Sequence, residues 1–206
     1  LLAPYPAISG GPGHWKQPQK PRTEAALQAD AFFWEVFHNG QYELIPAVLE
    51  ALKAVHLTNP NDAITTAHVG FMHAWHLTER WRMDSIPPSI TDDIVLSQSY
   101  FQQAVRLNPA DKRYLGFLGG MTLAEGDLHG DKKLAHKGYS TLVKAVHAYP
   151  EFNLVTAGLI ESSLPPTSER FQRALEWQWK VIDVCIGEKI DRANPDMSPY
   201  MHLVTT

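Results

Sequence analysis

The chain has 206 residues and a formal net charge of −4, with 18 basic and 22 acidic side chains. This length suits one domain with a short appendage. Apolar residues make up 44% of the chain and charged residues 19%, a composition that excludes a disordered chain. The lack of a basic excess argues against nucleic acid as a partner. The single cysteine, Cys185, excludes an intrachain disulfide and any multi-cysteine metal site, and no apolar run reaches the ~18 residues that a transmembrane helix needs.

Both ends of the chain are rich in residues that break helices. Residues 1–22 contain five prolines and three glycines, so we predict an extended N-terminal arm there. Residues 188–206 are interrupted by Pro195 and Pro199 and are predicted to be irregular. Because the sequence begins with Leu1 rather than methionine, we expect a processed or truncated chain. Its location stays open, and an exported or periplasmic bacterial protein is the interpretation that we favour.

The body of the chain, residues 23–187, is predicted to be all-α because its apolar residues recur at intervals of three and four. Thr23 is the expected N-cap of the first helix and Gly40 its end. Pro46 falls in the first turn of the second helix, where a missing N–H costs little. Thr91 is the expected N-cap of the fourth. Eight helices are predicted, at about residues 24–39, 42–59, 62–81, 92–107, 111–125, 132–149, 153–164 and 168–187.

Three of the predicted helices end in a similar pattern. Each pattern begins with a small residue and continues with a second residue four positions later. An alanine follows three positions after that, and a proline ends the helix. The matches are Ser97–Phe101–Ala104–Pro109, Gly138–Leu142–Ala145–Pro150 and, less well, with alanine in the bulky position and one extra residue before the proline, Ala47–Ala51–Ala54–Pro60. With a bulky residue in the second position, this pattern resembles the second helix of a tetratricopeptide repeat.

The resemblance covers about residues 23–187 and implies antiparallel helical hairpins stacked as a short tetratricopeptide-like α-solenoid. Ala54 and Ala104 are 50 residues apart, and Ala104 and Ala145 are 41 apart, whereas the family period is about 34. Insertions are therefore expected near Arg82–Asp92 and Gly126–Lys133. The resemblance implies binding of a protein or peptide partner, self-association included, more often than catalysis, and Ala104 and Ala145 should be buried at close helix contacts.

The third predicted helix carries the densest group of histidines. His68, His73 and His76 lie within nine residues, and His73 and His76, three apart, share one helix face. Imidazoles at this spacing favour a small-molecule, metal or haem binding protein or enzyme as the alternative function. Apolar neighbours favour hydrogen-bonded core histidines instead, so we expect no tightly bound metal and predict no cofactor. The candidate ligand-binding residues are His68, His73, His76, Tyr114 and Tyr139.

Two acidic residues, Asp92 and Asp93, open the fourth predicted helix. A pair of carboxylates can act as general acid and base. At a helix start it more often complements the helix macrodipole, and that is the interpretation we favour here.

The eighth predicted helix is apolar on two faces. Phe171, Leu175, Ile182 and Ile186 form one stripe, which we expect to face the preceding hairpin. A second stripe consists of Trp177, Val181 and Val184. We expect it to be covered by the C-terminal segment or a second subunit, with a further continuation of the chain and ordinary burial within the domain as alternatives. These three are the candidate partner-binding residues.

Overall fold

The computed structural model describes residues 21–162 and 164–185 of the chain, and these contain no β-strand. The all-α prediction is therefore confirmed for this part of the chain. The arm of residues 1–20 and the segment 186–206 lie outside the described residues. The helices are α1 (Glu24–His38), α2 (Ile45–Thr58), α3 (Ala63–Thr78), α4 (Asp92–Leu107), α5 (Lys112–His129), α6 (Lys132–Ala148), α7 (Pro150–Glu161) and α8 (Glu169–Cys185).

Each helix packs against the next one in the chain, so the molecule is a stack of helical hairpins. The first helices of successive hairpins also touch, since α1 contacts α3 and α5 contacts α7. This arrangement is consistent with a helical-repeat or solenoid-like fold, in which each hairpin buries its apolar face against its neighbours. None of the helices in the described ranges is long and apolar enough to cross a membrane.

Local sequence signals account for most of the helix ends. Thr23 caps α1 by accepting a hydrogen bond from the Ala26 backbone N–H at 3.2 Å, as predicted. Pro46 lies in the first turn of α2, also as predicted. Thr91 does not cap α4, because a 3₁₀ turn (Pro88–Thr91) precedes the helix and the Thr91 hydroxyl donates to the Pro88 carbonyl instead.

The C-terminal end of α5 was predicted too early. The expected loop at Gly126–Asp131 is helical as far as His129, and Gly130 ends the helix in the left-handed conformation with φ of 65°. In the sequence, Gly126 suggests the end of a helix. In the structure it lies within α5, and its lack of a side chain allows α5 to pack closely against α6. In place of the insertion expected near Gly126–Lys133, a tight turn connects α5 to α6.

The turns that follow α2 and α4 have the same conformation. Asn59 and Asn108 adopt φ/ψ of −137°/72° and −138°/80°, and each donates its backbone N–H into the last turn of the helix. Three residues later, Asp62 and Asp111 cap α3 and α5 with φ/ψ of −80°/104° and −80°/101°. The two Asn-Pro-x-Asp segments thus adopt the same local structure.

The buried positions of α2 correct the register of the first proposed match. Ala47 and Ala54 are exposed, whereas Val48, Leu52 and Val55 are buried. Counted back from Pro60, these three have the same offsets as the buried sets of α4 and α6, namely Ser97–Phe101–Ala104 and Gly138–Leu142–Ala145. The match with Ala47, Ala51 and Ala54 is therefore wrong by one residue. Ala104 and Ala145 are fully buried, as expected.

Helices α5 and α6 approach each other at backbone distance. A Cβ at Gly138 would lie 2.2 Å from the Leu123 backbone nitrogen, and one at Gly119 would lie 2.5 Å from that of Leu142. At Gly126 the corresponding distance, to the Ala135 nitrogen, is 2.2 Å. No side chain fits at these points, so glycine is required along the whole contact.

The expected orientation of α8 is wrong. Trp177 and Val181 face the preceding helices, with exposed fractions of 1% and 5%, whereas Leu175 is 45% exposed. Trp177 and Val181 pack in one cluster with residues of α6 and α7, including Leu142, Val146 and Leu154. The side chains of Ile182 and Val184, and all of Ile186, lie outside the described part.

We predict that Ala104→Leu and Ala145→Leu each lower the free energy of unfolding by about 1–3 kcal/mol, because the added atoms overpack closed helix contacts. Ala54→Leu, at the superficially equivalent but exposed position of α2, is the matched control and should leave stability unchanged. Urea unfolding of the three variants measures this. A comparable loss in Ala54→Leu would contradict the corrected register.

We predict that Gly138→Ala destabilises the fold by about 3 kcal/mol or more, since the new methyl group meets backbone atoms that cannot rotate away. Alanine is otherwise the better helix former by about 1 kcal/mol, so the sign of the effect is diagnostic. Lys137→Ala, on the exposed face of the same turn, serves as the control. Thermal melts that show Gly138→Ala to be neutral would exclude the backbone contact.

Candidate functional site

Two of the predicted histidines converge on one buried carboxylate. His73 and His76 lie on the face of α3 that packs against α4. The Nδ1 atom of His73 is 2.6 Å from Asp93 Oδ1, and that of His76 is 2.8 Å from Asp93 Oδ2. Asp93 is in the first turn of α4 but only 8% exposed. Its carboxylate therefore joins the two helices, a role that the sequence did not indicate, in addition to lying in the first turn where it complements the macrodipole.

The chemistry of this His73–Asp93–His76 cluster follows from its hydrogen bonds. A carboxylate only accepts, so each Nδ1 donates, and in a neutral imidazole the lone pair then lies on Nε2. Burial raises the pKa of Asp93, but the hydrogen bonds and charges of His73 and His76 together hold it below its ordinary value of 3.8. Asp93 is consequently ionised at neutral pH and orients both rings.

One nitrogen in the cluster lacks a partner among the described residues. His73 is 3% exposed, and its Nε2 is buried without a hydrogen bond. The Tyr100 ring lies parallel to the His73 ring, 6.0 Å away between centroids, and burial raises the pKa of the Tyr100 hydroxyl. A buried nitrogen without a partner destabilises a fold by about 1–3 kcal/mol, so a bound group that supplied the missing hydrogen bond would be stabilised at this position.

His68, the third histidine, lies in a different environment. Its Nδ1 is 2.7 Å from Asp30 Oδ1, and its ring stacks on Phe33 with 3.9 Å between centroids. Asp30 in turn pairs with Arg22, which also binds Asp62, the N-cap of α3. Burial raises the pKa of Asp30, whereas His68 and Arg22 lower it, and the net shift is downward. His68 thus belongs to the contact between α1 and α3.

Neither predicted tyrosine joins the histidines. Tyr114 is 7% exposed and lies in a core cluster with Phe101 and Met121. Tyr139 packs near Trp177 on α8, 6.4 Å between ring centroids. The five candidate ligand-binding residues are therefore distributed over several places, and His73 and His76 share Asp93 as a partner. Among the residues that the structure describes, no three His, Cys, Asp or Glu side chains are arranged to hold a metal ion.

A second feature, not predicted from the sequence, is a row of aromatic side chains across the first helices of three hairpins. We call Trp34 and Phe37 on α1, Phe71 and Trp75 on α3, and Phe117 on α5 the aromatic row. Each of its members is half-buried.

The contacts within the aromatic row are all edge-to-face. Ring centroids are 6.2 Å apart for Trp34–Phe37, 5.0 Å for Phe37–Phe71, 5.3 Å for Phe37–Trp75 and 5.4 Å for Phe71–Phe117. This geometry is the preferred one for aromatic pairs. In the sequence these residues recur at the intervals of three and four that are typical of core positions. For this reason the sequence analysis did not predict that they form a common surface.

Comparison of the sequence with family models and with curated proteins gave no match. The fold defines the class of the molecule, an all-α protein of packed helical hairpins. Its function has to be inferred from the His73–Asp93–His76 cluster and the aromatic row.

We predict that Asp93→Asn lowers the free energy of unfolding at pH 7 by about 1–3 kcal/mol, because two imidazole N–H groups lose a charged acceptor. The folded pKa of Asp93 lies below 3.8. Its stabilising effect is therefore fully present above the unfolded pKa and is lost as the pH falls through the folded pKa. The difference between wild type and variant should shrink below about pH 4, which urea unfolding at several pH values measures.

Asp92→Asn is the matched control for this experiment. Asp92 is exposed and lies in the same first turn of α4, so both variants change the interaction with the helix macrodipole alike. Equal losses in the two variants would contradict the bridging role of Asp93 and favour a macrodipole effect.

Proposed function

We propose that this protein is a helical-repeat scaffold that binds a protein or peptide partner through the aromatic row. The observation that carries the proposal is that five aromatic side chains in continuous contact are only partly buried. Aromatic residues are enriched at protein interfaces, where they bury large areas with few rotatable bonds. Each member of the row has surface left to bury against a partner.

The dimensions of the aromatic row favour a peptide over a small molecule. The row extends over α1, α3 and α5. From Trp34 through Phe37 and Phe71 to Phe117 its ring centroids span at most about 17 Å, which corresponds to about five residues of extended chain. The proposed stacking of hairpins supplies an extended concave surface of the kind that repeat proteins use for recognition.

Neighbouring contacts hold the ends of the aromatic row in place. Trp34 stacks on His38, with 5.1 Å between ring centroids. Trp75 meets the Tyr42 ring edge-on at 6.0 Å, and the Tyr42 hydroxyl donates to the His76 carbonyl at 2.8 Å. Side chains that are already ordered lose less entropy on binding, which favours affinity.

A second candidate function is small-molecule binding, or an enzymatic reaction, at His73. The buried Nε2 without a partner favours it, because a ligand N–H or O–H group would satisfy this acceptor. The test is a metal analysis and an absorption spectrum of the purified protein, followed by fragment binding by NMR. Binding that disappears in His73→Asn but persists in His56→Asn would support this function, and absence of any such ligand would oppose it.

We predict that a peptide selected from a displayed random library contacts Trp34 and Trp75. In protein labelled with 5-fluorotryptophan, the ¹⁹F resonances of these two residues should shift on peptide addition. Trp81 is 69% exposed and lies outside the aromatic row, so its resonance should not move. Assignment follows from single Trp→Phe variants.

The matched variants are Trp34→Gln and Trp81→Gln. We expect Trp34→Gln to weaken peptide binding at least about tenfold, because a few aromatic residues usually contribute most of the binding energy of an interface. Trp81→Gln should leave peptide binding unchanged. If the selected peptides bind equally to both variants, the aromatic row is not the binding surface.

A further inference from the structure

The exposed face of α6 carries only cationic or titratable basic side chains. All of its exposed residues are lysine or histidine, namely Lys132, Lys133, His136, Lys137, Lys144 and His147. The helix contains no Asp or Glu, although the chain as a whole has 22 acidic residues. This local excess contrasts with the net charge of −4.

The spacing of these residues places most of them on one line. Lys133, Lys137 and Lys144 are at i, i+4 and i+11, which is one stripe of an α-helix, and His136 and His147 flank it. From Lys133 to His147 the stripe is about 21 Å long, at 1.5 Å rise per residue. We call these five residues the basic stripe.

The lysines of α6 do not serve the stability of their own helix. Lys132 and Lys133 lie in the first turn, where the macrodipole disfavours cations, and that turn holds no acidic residue. Lys133 and Lys137, one turn apart, repel each other. In the described part of the chain, no lysine of α6 pairs with an acidic side chain.

We propose that the basic stripe of α6 is a docking surface for an acidic polypeptide segment of a partner protein. Charge complementarity identifies the occupant, since an extended acidic segment of about six residues matches the length of the stripe. Nucleic acid is disfavoured by the overall acidity of the chain. A membrane surface is disfavoured because α6 exposes no large apolar side chain, which an interfacial helix needs.

This inference does not depend on the proposed function, because the basic stripe and the aromatic row share no residue and no helix. The probe is a fluorescein-labelled peptide of about twelve residues in which glutamate alternates with serine, long enough to cover the stripe. Binding to the whole protein is followed by fluorescence anisotropy. A peptide with glutamine in place of glutamate controls for contacts that do not involve charge.

The informative variant is the triple substitution Lys133→Gln, Lys137→Gln and Lys144→Gln. We expect it to weaken binding of the glutamate peptide at least about tenfold, and binding by the wild type to weaken as salt rises from about 50 to 200 mM. All three positions are exposed, so the fold should persist, which circular dichroism checks. Lys144→Glu alone is a second variant and should also reduce binding.

The matched control removes the same charge elsewhere, with Lys53→Gln, Arg80→Gln and Arg106→Gln. We expect it to change binding less than about twofold, because long-range effects of net charge are screened. Equal losses in both triple variants, or no binding by the wild type, would overturn the proposal. Tighter stripe-dependent binding of duplex DNA or of vesicles containing anionic lipid would overturn it as well, because the occupant would then belong to another class.

Discussion

The backbone contact between α5 and α6 constrains the rest of the stack. At Gly119 and Gly138 the two helices are too close for any side chain, so their relative position is set by backbone sterics. α5 carries this constraint further, because Gly116 faces Asn153 of α7, where a Cβ would lie 2.0 Å from Asn153 Oδ1. The Asn153 amide in turn donates to carbonyls of both α5 and α6, among them that of Ala145 at 3.0 Å. Three helices are thereby positioned by contacts that tolerate little variation.

α3 holds the other half of the structure together in a different way. It is packed against α1, α2 and α4. It meets α4 at Gly70, where a Cβ would lie 3.2 Å from the Tyr100 Cβ, and through hydrogen bonds to a buried carboxylate. Asp93 binds both His73 and His76, so α4 is tied to two points one turn apart on α3. A buried carboxylate held in this way fixes the geometry of the contact, and removing one of its partners lowers the stability of the fold. The face of α3 toward α1 carries Phe71 and Trp75, so both candidate functional features depend on the placement of this one helix.

The parts of the structure that were predictable from the sequence are those set by local chemistry. The caps at Thr23 and the proline in the first turn of α2 act within a few residues, so their signals are readable without the fold. The role of Asp93 was not readable, because its partners lie 17 and 20 residues away, on the other side of the segment that joins α3 to α4. The predicted orientation of α8 was wrong for a related reason. Its two apolar stripes are similar in hydrophobicity, and only the shape of the surface offered by α6 and α7 selects the one that contains Trp177.

The same limit explains why the aromatic row was missed, whereas charge along a single helix can be read from the sequence. Phe37, Phe71 and Phe117 each have the periodicity of core residues, and only their alignment across α1, α3 and α5 turns them into a shared surface. The lysines of α6 follow one helix, so their alignment is already present in the sequence. In a stack of hairpins each helix contacts mainly its neighbours, and distant surfaces are energetically independent to a first approximation. The two proposed surfaces share no residue, and they approach each other through α5, which carries Phe117 and packs against α6.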